Sequence, residues 1–251
     1  MLERQARLDG WVTSRSDRHA RSVAAFAVRR ERGSGPACRV HDGGMRAFRD
    51  RVDAGRRLAA ELGHLRGRDL VVLGLPRGGV PVAAEVAAAL SAPLDVIVVR
   101  KLGHPHHPEY AVGALGEEGA QVLTPAARSL EPSDLLRVTA RESAELDRRV
   151  RVLRGTRPAE PLRGRTAVIV DDGIATGATA AAACQVARHR GAAAVVLAAP
   201  VAAKDAIAGL EKLADQVVVV LAPSDFTAVG AWYDDFTPTS ETEVAAILAL
   251  S

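Results

Sequence analysis

Two adjacent carboxylates, Asp171 and Asp172, stand at the end of an apolar, largely β-branched run (residues 167–170). A loop of small and hydroxylated residues follows them: Gly173, Ile174, Ala175, Thr176, Gly177, Ala178 and Thr179. The alanine-rich segment 178–190 then reads as a helix. In an open α/β sheet, ligands gather outside the carboxyl ends of the strands. A helix N-terminus offers unpaired backbone N–H groups to an anion. Gly173 and Gly177 let backbone approach that anion without a Cβ in the way. Thr176 and Thr179 supply hydroxyl donors for phosphate oxygens, while the two aspartates can accept from sugar hydroxyls or hold a hydrated Mg²⁺. These parts together suit a sugar phosphate.

A second strand–loop–helix unit lies upstream. Residues 69–75 read as a short buried strand, Pro76-Arg77-Gly78-Gly79 as its loop, and 80–90 as a helix. Arg77 offers a bidentate fork to phosphate, and Gly78 and Gly79 allow close backbone approach. A further buried strand (94–99) leads into Arg100 and Lys101, then into His104-Pro105-His106-His107-Pro108-Glu109-Tyr110. The two prolines keep this segment from becoming a helix, so a loop is expected. Its histidines invite a metal reading, but their spacing matches no common zinc pattern such as HExxH.

These loops must be carried by a scaffold, and strands alternating with helices predict a parallel sheet with right-handed crossovers. Residues 112–124 read as two short strands about Gly116-Glu117-Glu118-Gly119. Residues 132–153 read as a long charged helix, with Leu146, Val150 and Leu153 buried and Arg148, Arg149, Arg151 and Arg154 facing solvent. Residues 193–201 and 216–221 supply two more buried strands, joined by a crossover helix at 204–213. Four of the chain's eight aromatics, Phe226, Trp232, Tyr233 and Phe236, crowd into the C-terminal stretch 222–239. They form either a shelf on which a flat ring stacks or a small local core.

Composition bounds the partners. No run approaches the ~18–20 apolar residues of a membrane span. Cys38 and Cys184 form no CxxC pair, and a reduced, cytoplasmic setting fits them best. The formal net charge is +3, but residues 1–44 carry nine arginines against five acidic residues, or +4, leaving −1 for the rest. The body therefore presents no basic nucleic-acid surface. Residues 1–44 read as a poorly ordered Arg-rich extension, with a nucleic-acid-binding arm as the sharper alternative. Residues 45–251 form the functional domain.

The stretch 168–179 resembles the phosphoribosyl-pyrophosphate (PRPP) motif of type I phosphoribosyltransferases, and Arg77-Gly78-Gly79 is similar to that family's pyrophosphate loop. The segment 100–113 resembles the mobile loop of bacterial members of unassigned substrate. The resemblance implies an α/β, Rossmann-type fold with a mostly parallel central sheet flanked by helices and a small C-terminal hood (about 222–239). It implies transfer of the 5-phosphoribosyl group from Mg²⁺-bound PRPP to a nitrogen nucleophile such as a nucleobase, with pyrophosphate released, as in nucleotide salvage. Asp171 and Asp172 would then hold the ribose hydroxyls, and residues 173–179 would cradle the 5′-phosphate. Arg77 to Gly79 would take the pyrophosphate together with Lys101, for which Arg100 is the runner-up. Phe226, Trp232 and Tyr233 would contact the base. Family members are often dimers, so the resemblance also implies a homodimer.

One departure matters. Hypoxanthine- and guanine-salvaging members carry an Asp where this chain has Ala175, so no loop carboxylate is present for base chemistry. The main alternative is a PRPP- or nucleotide-sensing regulator that keeps the fold without turnover. A hydrolase is disfavoured, since no GxxxxGK[ST], GxSxG or GxGxxG pattern occurs.

Overall fold

A computed structural model describes residues 47–251. The Arg-rich extension expected at 1–44 lies outside the described residues.

Helix α1 (Arg51–Glu61) starts at Asp50, whose carboxylate accepts from the Asp53 N–H at 2.7 Å. Strand β1 (Leu70–Gly74) is buried throughout, and α2 (Gly79–Leu90) follows its loop. Strand β2 (Leu94–Val96) is shorter than the sequence suggests. The chain then turns out of the sheet and enters β3 (Val99–His104), β4 (His107–Gly116) and β5 (Gln121–Leu123). Helix α3 (Pro132–Arg154) leads back to β6 (Thr166–Val170), α4 (Ala178–His189), β7 (Ala194–Val201), α5 (Lys204–Leu210) and β8 (Gln216–Leu221). Helix α6 (Glu241–Ala249) opens with a full capping box between Ser240 and Glu243.

Five strands pair in the order β2-β1-β6-β7-β8, every pair parallel. Alternate residues feed two apolar layers, as a strand's period of two requires. Val168 and Val170 join the core under α1, α2, α3 and α6, whereas Ala167 and Ile169 join the core under α4 and α5. The expected α/β architecture with a parallel central sheet is therefore the one observed. From β1 the chain steps outward to β2, and from β6 it steps the opposite way through β7 to β8. The β1–β6 boundary is thus the topological switch point, where open α/β sheets keep their ligand crevice.

The loop expected over 104–110 is instead part of a β-hairpin. Arg100 pairs with Leu115 and Lys101 with Ala114, and Pro105-His106 form the turn. The prolines bar a helix, as anticipated, yet β5 pairs only with Gly113 to Leu115. Pro108 therefore falls where β4 is unpaired on that side, a position that tolerates a missing N–H.

A second correction concerns α3. Arg148 and Arg149 are exposed as expected, but the Arg154 side chain is only 3% exposed. Its guanidinium binds Asp95 at 2.9 Å, Glu117, and the Val96 carbonyl at 3.1 Å. Glu117 also accepts from the Val98 N–H at 3.3 Å. This buried junction bends the chain from the parallel sheet into the hairpin, which is why the strand expected at 94–99 breaks after Val96.

Candidate active site

The carboxyl ends of β1 and β6 are neighbours: Gly74 pairs with Val170, and the Leu75 N–H donates to the Val170 carbonyl at 2.8 Å. Parallel pairing thereby places the loop 76–79 against the acidic pair. A Cβ built on Gly78 would stand 1.9 Å from Oδ2 of Asp172, and one on Gly79 would stand 2.6 Å from the Val170 carbonyl oxygen. Real Cβ atoms do not reach such distances, so the two glycines are what permits the loops to touch. The Pro76–Arg77 peptide is cis. Arg77 is exposed at the tip of this loop.

Beyond the aspartates the chain is pinned by Ile174, which pairs with Ala202: its N–H donates to the Val201 carbonyl at 2.9 Å. Gly173 packs on Val229, with room for no Cβ. Ala175, Thr176, Ala178 and Thr179 are exposed, and Gly177 turns with φ +75° into α4. No side chain caps α4 at Gly177 itself; the Ala178 N–H donates to Thr176 Oγ1 at 3.5 Å. A twelve-residue helix thus begins just beyond the acidic pair with no side-chain N-cap at Gly177, the arrangement an anion site uses.

Asp171 and Asp172 share a poorly solvated space. Burial, followed by the adjacent Asp172 charge, holds the Asp171 carboxyl well above the usual carboxylate range, against the Asp172 N–H that it accepts at 3.0 Å. Burial raises Asp172 as well, and Arg51 opposes that rise. Arg51, at the start of α1, places both Nε and Nη2 at 2.8 Å from Oδ2 of Asp172. Its Nη1 donates to the Thr237 carbonyl at 2.8 Å, and its guanidinium lies 4.0 Å from the centre of the Phe236 ring. The Tyr233 hydroxyl donates to the backbone carbonyl of Asp172 at 2.6 Å.

Two cavities adjoin these groups. One, of about 300 Å³, is lined by Pro76, Arg77, Val99, Arg149, Thr179 and Glu241 among others. The other, of about 280 Å³, is lined by Arg51, Arg77, Gly78, Asp172, Phe236 and Thr239 among others. Arg77 lines both.

Of the residues expected from sequence, the structure brings together Arg77, Gly78, Gly79, Asp171, Asp172 and the loop from Gly173 to Thr179. Lys101 sits on the β3–β4 hairpin and lines neither cavity. Arg100, the runner-up, is committed to Glu142 of α3 through contacts of 2.6 and 2.9 Å. The aromatic stretch is a local core rather than a shelf. Tyr233 is 2% and Trp232 7% exposed, and both pack with Phe48, Ala54 and Val201. Phe48 pairs in parallel with Tyr233, which turns the rings inward. Phe226 is half-buried against the same cluster. Sequence reasoning missed Arg51, Arg149 and Glu241, none of which belongs to a local motif.

All donors at the acidic pair are oxygens, which suits a hard cation. Yet Asp172 Oδ2 already accepts from the Arg51 Nε–H, with the Nη2 atom also 2.8 Å away, so that oxygen does not fit a directly bound metal. Among the described residues no group of three or more His, Cys, Asp or Glu side chains is arranged to hold an ion. No helix among them is long and apolar enough to cross a membrane.

A family profile described as a phosphoribosyl transferase domain matches residues 47–230. Two strain versions of a Mycobacterium tuberculosis protein, provisionally named a phosphoribosyl transferase, are 54% identical over 207 residues. The match covers 81% of this chain and 47% of theirs, so the chain spans about half the length of these curated relatives. The crystal structure of the Thermus thermophilus protein TT1426 is 48% identical and superposes with a TM-score of 0.75, covering 80% of this chain and 97% of that one.

Proposed function

Because the chain belongs to the phosphoribosyl transferase family, we propose that it binds PRPP at the β1–β6 crevice and transfers the 5-phosphoribosyl group to a nitrogen nucleophile, releasing pyrophosphate. The observation that carries this reading is that Gly78 and Gly79 of one phosphate-type loop abut the Asp171–Asp172 pair, from which the second such loop (173–179) leads directly on. A ligand lying there meets an anion site on each side of a sugar-hydroxyl site, which is the layout of a sugar phosphorylated at both ends.

In this reading the 5′-phosphate lies on the N-terminus of α4 with Thr176 and Thr179, and Asp171 and Asp172 hold the ribose hydroxyls. Arg77 draws charge off the departing pyrophosphate, with electrostatics supplying most of the rate. Lys101 joins when the β3–β4 hairpin folds over the donor, a closure that also excludes water. Magnesium belongs to the reading as the counter-ion of PRPP itself. The acceptor is a nucleobase-like nitrogen compound, and Ala175 supports one that needs no loop carboxylate to handle its proton. Nucleotide salvage in the cytoplasm is the setting, in keeping with the free thiol of buried Cys184.

A PRPP-sensing protein without turnover is the second reading. The observation in its favour is the burial of Trp232 and Tyr233, which leaves neither ring open for a base to stack on. Two measurements separate the readings. Titration calorimetry with Mg-PRPP should show binding that Asp171→Asn and Asp172→Asn each weaken at least about tenfold, the worth of a charge-assisted hydrogen bond. Equal affinity in all three proteins rejects both readings. Pyrophosphate release should then appear with one member of a panel of purines, pyrimidines and small amines. Binding with no release across the panel leaves the sensor.

A further inference from the structure

We infer that Arg51 is a built-in counter-ion of the acidic pair, holding the cation position at Asp172 so that no divalent ion binds that carboxylate in the absence of the donor. The inference draws its meaning from the reading of Asp171 and Asp172 as the donor's sugar site. Its test uses a metal ion alone, so its failure and that of PRPP transfer are distinguishable.

Every part of the Arg51 guanidinium is engaged. Nε and Nη2 converge on a single oxygen, Oδ2 of Asp172, at 2.8 Å each. Nη1 is held by the Thr237 carbonyl at 2.8 Å, and the plane rests on the Phe236 ring at 4.0 Å. The Arg51 side chain is 10% exposed, so these bonds work in a weakly screened environment. A rigid fork fixed at three points is not a mobile surface charge.

The space around Oδ2 argues the same way. The Gly78 backbone closes the approach on one side, since even a Cβ there would come within 1.9 Å. Mg²⁺ and Mn²⁺ prefer oxygen-rich, near-octahedral surroundings, with Mg²⁺ at ~2.0–2.1 Å. An ion at Oδ2 would have to displace the Arg51 Nε–H and sit beside the guanidinium charge, whose Nη2 is also 2.8 Å from that oxygen. The Oδ1 atom of Asp171 is likewise engaged: it accepts the Asp172 N–H at 3.0 Å and lies 3.2 Å from where a Cβ on Gly79 would stand. The protein therefore supplies the positive charge itself, from a helix 121 residues upstream in sequence.

The bland account is that Arg51 only ties α1 to the C-terminal segment. The two accounts differ in what a freed Asp172 does. The experiment follows Mn²⁺ alone by electron paramagnetic resonance, on the full chain without PRPP. The wild type should bind Mn²⁺ weakly, and Arg51→Gln should bind it at least about tenfold tighter, the worth of an added charged ligand. Arg51→Lys, which keeps the charge, should stay near the wild type. Arg51→Gln with Asp172→Asn should lose the gain. Unchanged Mn²⁺ affinity in a folded Arg51→Gln protein overturns the inference. Should that variant not fold, the wild type decides: Mn²⁺ binding that Asp172→Asn abolishes also overturns it, whereas weak binding that Asp172→Asn leaves unchanged upholds it.

Discussion

Gly78 and Asp172 approach so closely that a methyl group on Gly78 would fall 1.9 Å from the Asp172 Oδ2 atom and 3.1 Å from Nε of Arg51. The pyrophosphate-type loop and the acidic pair are therefore one unit, and the glycine is the joint. Gly78→Ala should push the Asp172 carboxylate away from both Arg51 and a bound sugar. We expect PRPP affinity to fall about 10–100-fold, the equivalent of losing one charged hydrogen bond. Calorimetry checks this, with circular dichroism to verify the fold. Wild-type affinity in the variant would show that the loop yields easily.

Arg154 makes the opposite kind of contact, a buried bridge to Asp95 and Glu117. Arg154→Met should destabilise the protein by about 3–5 kcal/mol, because it strands two buried carboxylates. Adding Asp95→Asn and Glu117→Gln to that variant should restore part of the loss, since neutral partners no longer need the cation. Urea unfolding measures both steps. A loss under about 1 kcal/mol for the single change would mean that water reaches the carboxylates.

Burial pushes the Cys184 thiol up to about 12, so the reactive thiolate is disfavoured throughout the neutral range. In a Cys38→Ser background, Ellman's reagent at pH 8 should leave the native protein unmodified. One equivalent should react after denaturation. Rapid modification of the native chain would show that the α4 face opens.

The family match starts at residue 47, downstream of the Arg-rich segment. A chain starting at Met45 should keep its melting temperature and its PRPP affinity. Thermal denaturation and calorimetry compare it with the full chain. Loss of either would assign residues 1–44 a part in the fold or the site.

What could be read beforehand follows from the range of each interaction. The acidic pair, its phosphate loop and the Arg77-Gly78-Gly79 loop are short segments whose strand and helix flanks announce themselves by period and composition. Arg51 has no such signal. It meets Asp172 only because β1, β6 and the C-terminal segment converge, and nothing near position 51 marks it. Arg154 misled for a related reason, since its neighbours Arg148, Arg149 and Arg151 are on the surface and helical spacing alone does not reveal carboxylates arriving from β2 and the end of β4. Trp232 and Tyr233 face inward because Phe48, far away in sequence, pairs beside them. In the hairpin, proline chemistry ruled out a helix but did not distinguish a loop from an unpaired strand margin.

The parallel seam between Gly74 and Val170 has a kinetic consequence. The hairpin and α3 lie between its two strands in sequence, so a long stretch of chain must fold back before either half of the donor pocket gains its other wall. Contacts of that span form late and slowly. If the chain binds PRPP as proposed, its site is complete only once the seam has formed, and a bound donor adds its binding energy to the native state alone. On the proposed function, the donor is a clasp across this seam.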